Sequence, residues 1–115
     1  MAFTELEHKR CERDLERFME RRRPPPHIRD KVDLVYRMKG HSIEILSIRP
    51  AFFDPSKTME EPIAKATFVR TRNIWRLFWM RADLKWHAYP PSPEVRSLAQ
   101  ALELVAEDQL GCFFG

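Results

Sequence analysis

The spacing of apolar residues changes period along this chain, and each change marks an element. Leu6, Cys11, Leu15, Phe18 and Met19 recur at near-helical spacing, with Glu and Arg residues on the opposite face. Thr4 and Glu7 supply a capping box at the start, since the hydroxyl can accept from the third amide while the carboxylate reaches back. Arg21, Arg22 and Arg23 complement the dipole in the last turn, and Pro24, Pro25 and Pro26 end the helix by removing donors.

From Asp30 the period falls to two. Val32, Leu34, Tyr36 and Met38 alternate with Asp33, Val35 and Arg37, predicting a half-buried strand. Lys39-Gly40-His41 supplies a turn, with Gly40 the residue for a positive φ. A second strand runs from Ser42 to Arg49, and Pro50 closes it. Ala51 to Pro62 reads as the longest irregular piece, turning at Asp54-Pro55-Ser56, with Phe52 and Phe53 expected to pin it to the body.

A third strand is predicted over 63–71 and a fourth over 74–80. Ile74, Phe78 and Met80 point one way on the fourth, and Trp75, Leu77 and Trp79 the other. Apolar residues on both faces predict that this strand is central or covered on two sides. Trp86 to Tyr89 adds a short edge strand. Ser92 is expected to cap the last helix, with Pro93 at its first position and Glu94 in its first turn. Leu98, Ala101, Leu102 and Val105 form its buried stripe, and the apolar tail Leu110 to Gly115 is expected to dock on the domain. The predicted fold is α+β: a meander of four to five antiparallel strands with an N-terminal and a C-terminal helix on one face, in the order α-β-β-β-β-α.

At 115 residues the chain forms one domain, 1–115, because a second would leave neither half a core. Its net charge of +3 is unevenly spread. Residues 1–29 carry 8 Lys/Arg against 6 Asp/Glu, residues 30–91 carry 11 against 7, and residues 92–115 carry 1 against 4. The segments therefore stand at +2, +4 and −3, and the sheet region is the basic one. With no signal-like n-region and h-region, no apolar run of membrane-spanning length, and only Cys11 and Cys112, the reading is a cytoplasmic protein with free thiols and no membrane partner. A Cys11–Cys112 bridge is the minor alternative, requiring the termini to meet.

The chemistry concentrates between Asn73 and Tyr89, which holds all three tryptophans. On an extended chain Arg81, Asp83, Lys85, His87 and Tyr89 would line one surface, offering a base, anion donors and a phenol. The bland alternative is an edge segment in which Arg81 pairs with Asp83. A polyanion-binding reading uses Arg49, Lys65, Arg70, Arg72, Arg76, Arg81 and Lys85 for phosphates, with an exposed Trp75 or Trp86 and Tyr89 beside them. A second reading takes Asp83-Leu84-Lys85 as the D-x-K half of a metal-assisted nuclease, with Asp83, Lys85 and His87 catalytic, Mg²⁺ as cofactor, and Asp54 or Glu44 as the second carboxylate. A third is a protein-contact module, or a homodimer, meeting its partner through Phe52–Phe53 or the aromatic strand. The histidines are too scattered for a zinc site, no metal site is assigned, and no phosphate loop or dinucleotide fingerprint is present.

Several stretches together, T-E-L-E, R-R-R-P-P-P-H-I-R, I-R-P, P-I-A-K-A-T-F-V, W-R-L-F-W-M-R-A-D-L-K-W-H-A-Y and G-C-F-F-G, resemble the domain of unknown function family 3024. The resemblance covers essentially the whole chain. It implies a small stand-alone bacterial protein of the cytosol and brings no activity, cofactor or catalytic residue with it.

Overall fold

The computed structural model describes residues 2–115. Helix α1 (Glu5–Arg22) begins on the predicted capping box, with the Glu7 amide donating to Thr4 Oγ1 at 3.2 Å and the Thr4 amide to Glu7 Oε1 at 2.8 Å. A short 3₁₀ turn, Pro26–Ile28, leads into β1 (Asp33–Lys39), β2 (Ser42–Pro50), β3 (Thr58–Val69) and β4 (Ile74–Met80). These are followed by β5 (Trp86–Ala88), β6 (Glu94–Val95) and α2 (Leu98–Glu107). The strands are antiparallel in the order β1-β2-β3-β4-β5, and β6 pairs with β4 beyond β5. The α+β meander with a helix at each end is the predicted architecture, and Gly40 turns β1 into β2 at φ 60°.

Both helices cover one face. Cys11, Leu15 and Phe18 of α1 and Leu98, Ala101, Leu102 and Val105 of α2 share a core with Ile43, Ile45, Ala64, Ala66, Trp75 and Leu77 of the sheet. Alternation assigns the other face to Glu44, Lys65, Thr67, Ile74, Arg76, Phe78, Met80 and Trp86, none of which belongs to that core. The sheet is thus open on one side.

Three features depart from the sequence reading. Strand β3 starts at Thr58, inside the segment expected to be irregular. Its first residues, Thr58 to Pro62, are all exposed, Met59 among them, and pair with Pro50 back to Leu46, while Glu60 bonds to Arg37 and Glu61 stands 3.7 Å from Arg49. A register shift there leaves Ile63 unpaired beside Pro62, and that bulge is where a proline without an N–H is tolerated. Phe52 and Phe53 do not pin the loop, being 99% and 77% exposed. The loop closes on itself instead, through Ala51 N to Lys57 O at 2.8 Å and Asp54 Oδ1, which accepts from the Ser56 amide and hydroxyl.

The third departure is the start of α2. Ser97, not Ser92, is the cap, accepting from the Gln100 amide at 3.1 Å, while Gln100 Oε1 accepts from the Arg96 amide. Glu94 and Val95 are drawn into the sheet opposite Arg76 and Trp75. The Tyr89 amide donates to Leu77 O at 2.9 Å and the Leu77 amide to Pro93 O at 3.0 Å, so the segment from β5 to β6 covers the edge of β4.

The C-terminal tail docks as expected. Asp108 ends α2 in the left-handed conformation, and its carboxylate accepts from the Phe113 and Phe114 amides at 2.9 and 2.8 Å. Phe113 is buried against Tyr89, with ring centroids 5.0 Å apart. Both cysteines are free thiols. Burial pushes the Cys11 thiol up to about 11, with Asp14 and Glu7 adding to it, which leaves the group a protonated core residue. No helix among the described residues is long and apolar enough to cross a membrane.

Candidate functional site

The turn between β4 and β5 determines where the predicted site residues go. Residues 81–85 are not extended. The Leu84 amide donates to Arg81 O at 2.8 Å and the Arg81 amide to Lys85 O at 3.3 Å, with Leu84 held at φ 62°. Asp83 fastens this turn by accepting from the Lys85 amide at 3.0 Å. Its other oxygen meets His87 Nε2 at 2.8 Å. Asp83 therefore pairs with His87 rather than with Arg81. The His87 bond, with Lys85 and the nearby Arg81 charge assisting, holds the Asp83 carboxyl below its usual range.

Arg81, Asp83, Lys85, His87 and Tyr89 do not form one surface. His87 sits beside Trp79 at the sheet edge, whereas Tyr89 is 2% exposed, under Phe113. Burial raises its phenol above the ordinary value and removes it from any surface role. Trp75, 7% exposed, is also excluded as a stacking platform, since it packs on Phe3 at 5.7 Å and Phe68 at 5.1 Å. Trp79 is half-buried against the core. Trp86 alone among the tryptophans lies on the open face.

The arginines expected to form one basic cluster are largely neutralised. Arg70 makes two bonds to Glu7 at 2.8 and 2.9 Å, tying β3 to the start of α1, and Arg72 makes two to Glu94 at 2.8 and 3.1 Å. Arg76 shares Glu94 at 3.9 Å, and Arg49 stands 3.7 Å from Glu61. Among the described residues Lys65, Arg81 and Lys85 form no ion pair.

Lys65 lies where β3, β4 and β5 meet, and Arg81 and Lys85 belong to the turn between β4 and β5. Lys65 pairs across the ladder with Phe78, which pairs with Ala88, while Met80 pairs with Trp86. Lys65 Nζ lies 5.7 Å from the Phe78 ring centroid and 5.9 Å from that of Trp86, within cation–π range of both. Arg81 lies over the Trp79 ring at 5.6 Å, on the helix side of the same edge. Phe78 is the residue the sequence reading left out. Its face was legible from alternation, but its position beside Lys65 depends on the β3–β4 register.

As a metal centre the arrangement is incomplete. The described residues contain no group of three or more His, Cys, Asp or Glu able to hold an ion, so neither Glu44 nor Asp54 completes a site with Asp83 and His87. What the edge offers chemically is two ring faces, unpaired cations and one acid–imidazole pair.

Over residues 3–115 the sequence matches the family described as Domain of unknown function (DUF3024). The chain belongs to this family. No curated protein and no solved structure matches it. The family match spans the whole fold described above, from the capping box of α1 to the docked tail, so the DUF3024 domain is the entire sheet-and-helix unit.

Proposed function

We propose that this DUF3024 protein binds single-stranded nucleic acid, or a similarly flexible polyanion, on the open face of its sheet at the β4–β5 edge. The observation that carries this reading is Lys65 between the Phe78 and Trp86 rings on a face no helix covers. Bases stack on exposed aromatic faces whatever their sequence, and unpaired cations beside them take phosphates. A duplex offers no unstacked base, so single strands are the favoured form. The neutralised Arg70 and Arg72 contribute little and Arg81 stands on the helix side of the edge, which sets the footprint at Lys65, Lys85 and the loosely held Arg76.

The test is an anisotropy titration of labelled single- and double-stranded DNA and RNA at several salt concentrations, with and without Mg²⁺, with a gel to detect cleavage. Three phosphate contacts predict a log–log salt slope of about −2 for single strands. Trp86→Ala removes a stacking contact of about 1–3 kcal/mol and should weaken binding at least fivefold. Arg72→Ala, whose side chain is already engaged by Glu94, should change it little. Absence of binding at low salt would sink the reading. Mg²⁺-dependent cleavage lost in Asp83→Ala would replace it with the nuclease one.

A protein-contact reading rests on a different observation, the two phenylalanines held out in water by an internally bonded turn. Sedimentation of the wild type against a Phe52→Ser, Phe53→Ser double variant tests it for self-association. A monomeric wild type argues against the homodimer.

A further inference from the structure

On the helix side of the sheet, under the last turn of α1 and the C-terminal tail, lies a cavity of about 210 Å³. Arg22, Ser47, Arg49, Ile63, Phe113 and Phe114 are among its walls, brought together from the arginine–proline junction, two strands and the tail. Two of its polar atoms are buried without a hydrogen-bond partner in the chain, Ser47 Oγ and Arg22 Nε. Ser47 is 5% exposed and faces the helix side between Leu34 and Glu61, its cross-strand neighbours. A buried polar group left unpaired is costly, and most in native proteins have a partner.

The chemistry of the two atoms agrees. A guanidinium has donors only, and a hydroxyl can donate, so together they call for an acceptor. The Arg22 guanidinium carbon lies 3.9 Å from the centre of the Phe114 ring, a cation–π contact that leaves its N–H groups able to donate to a planar anion. Asp33, also on the wall, is taken up by Arg23 through two bonds of 2.9 Å, so its charge does not oppose one. Glu61 also stands on the wall, 3.7 Å from Arg49, so that pair leaves little net charge and the anion rests on Arg22 and Ser47. Ile63 and Phe113 make the remainder apolar. At about 210 Å³ the space is below the drug-sized range and suits a small ligand.

We propose that this cavity binds a small monocarboxylate with an apolar body, the carboxylate held by Arg22 and Ser47 and the body packed against Ile63, Phe113 and Phe114. The site is independent of the open face and of the function proposed for it. A strongly hydrated phosphate suits these apolar walls less well than a carboxylate.

The experiment is a ¹⁵N–¹H correlation titration of the full chain with benzoate and hexanoate, using benzamide and hexanamide as uncharged matches. Saturable shifts centred on Ser47, Ile63, Phe113 and Phe114 are expected for the acids, with the amides binding at least tenfold more weakly. Ser47→Ala, which removes a hydroxyl that has no hydrogen-bond partner in the chain, should reduce carboxylate affinity about tenfold through loss of one charge-assisted bond. Arg22→Gln should abolish it. Lack of saturation at millimolar acid, equal binding of acid and amide, or undiminished affinity in Ser47→Ala would each overturn the proposal.

Discussion

Replacing Asp108 with glycine should destabilise the protein, although a left-handed helix end is where glycine is normally the best residue. Asp108 sits at φ 47°, ψ 50°, and relief of that conformation by glycine is worth about 1 kcal/mol. Against this, the carboxylate accepts from two backbone amides, Phe113 at 2.9 Å and Phe114 at 2.8 Å. Bonds to a charged group contribute about 1.5–3 kcal/mol each, and partial exposure favours the low end, so about 3 kcal/mol is lost. The net expectation is a loss of about 2 kcal/mol, which in urea is a fall in midpoint of about 1 M. Asp108→Asn keeps the left-handed tolerance and one carbonyl acceptor, so it should fall roughly midway between wild type and glycine. Urea denaturation followed by tryptophan fluorescence at neutral pH measures all three. A glycine variant as stable as the wild type, or more so, would refute the claim that this carboxylate holds the tail.

Three further outcomes are expected. Glu7 is held down at about 2, first by the Arg70 guanidinium and then by the Thr4 amide, against an ordinary 4.5. A depressed carboxyl stabilises above its unfolded value, so that contribution should vanish as pH falls from about 4.5 to about 2. In a melting-temperature series Glu7→Gln should flatten that acid limb, and an unchanged limb would show that the clamp is idle. Phe53→Ser, at an exposed loop tip, should shift stability by no more than about 0.5 kcal/mol in chemical denaturation, and a larger loss would restore the pinned loop. Leu77→Ala, on the central strand at 1% exposure, should cost about 2–5 kcal/mol by the same assay, and a cost under about 1 kcal/mol would contradict the packing described.

What could be read in advance was whatever local chemistry decides. The capping box and the three prolines bound α1 without help from the rest of the chain, and alternation located β1, β2 and β4. Thr58 to Glu61 was unreadable as strand because all four residues are exposed, so no alternation of buried and exposed positions marks their pairing with β2. The start of α2 was a contest between two caps, Ser92 and Ser97. It was settled by Glu94 and Val95 pairing with β4, a tertiary effect no local pattern carries.

The same divide runs through the candidate site. Arg70 and Arg72 looked free because their partners lie 63 and 22 residues away in sequence. Tyr89 shares the phase of His87, but the docked tail, arriving from the other end of the chain, covers it. Lys65 and Phe78 were each visible as residues, and the β3–β4 register makes them neighbours.

The central claim, that the open sheet face is a binding surface, is tested most directly by mapping amide shifts of the labelled protein on addition of a short single-stranded oligonucleotide at low salt. Shifts are expected at Lys65, Thr67, Phe78, Met80 and Trp86, with the Trp86 indole among the largest and the helices silent. Shifts confined to α1 and α2, or none on the sheet, would contradict the claim.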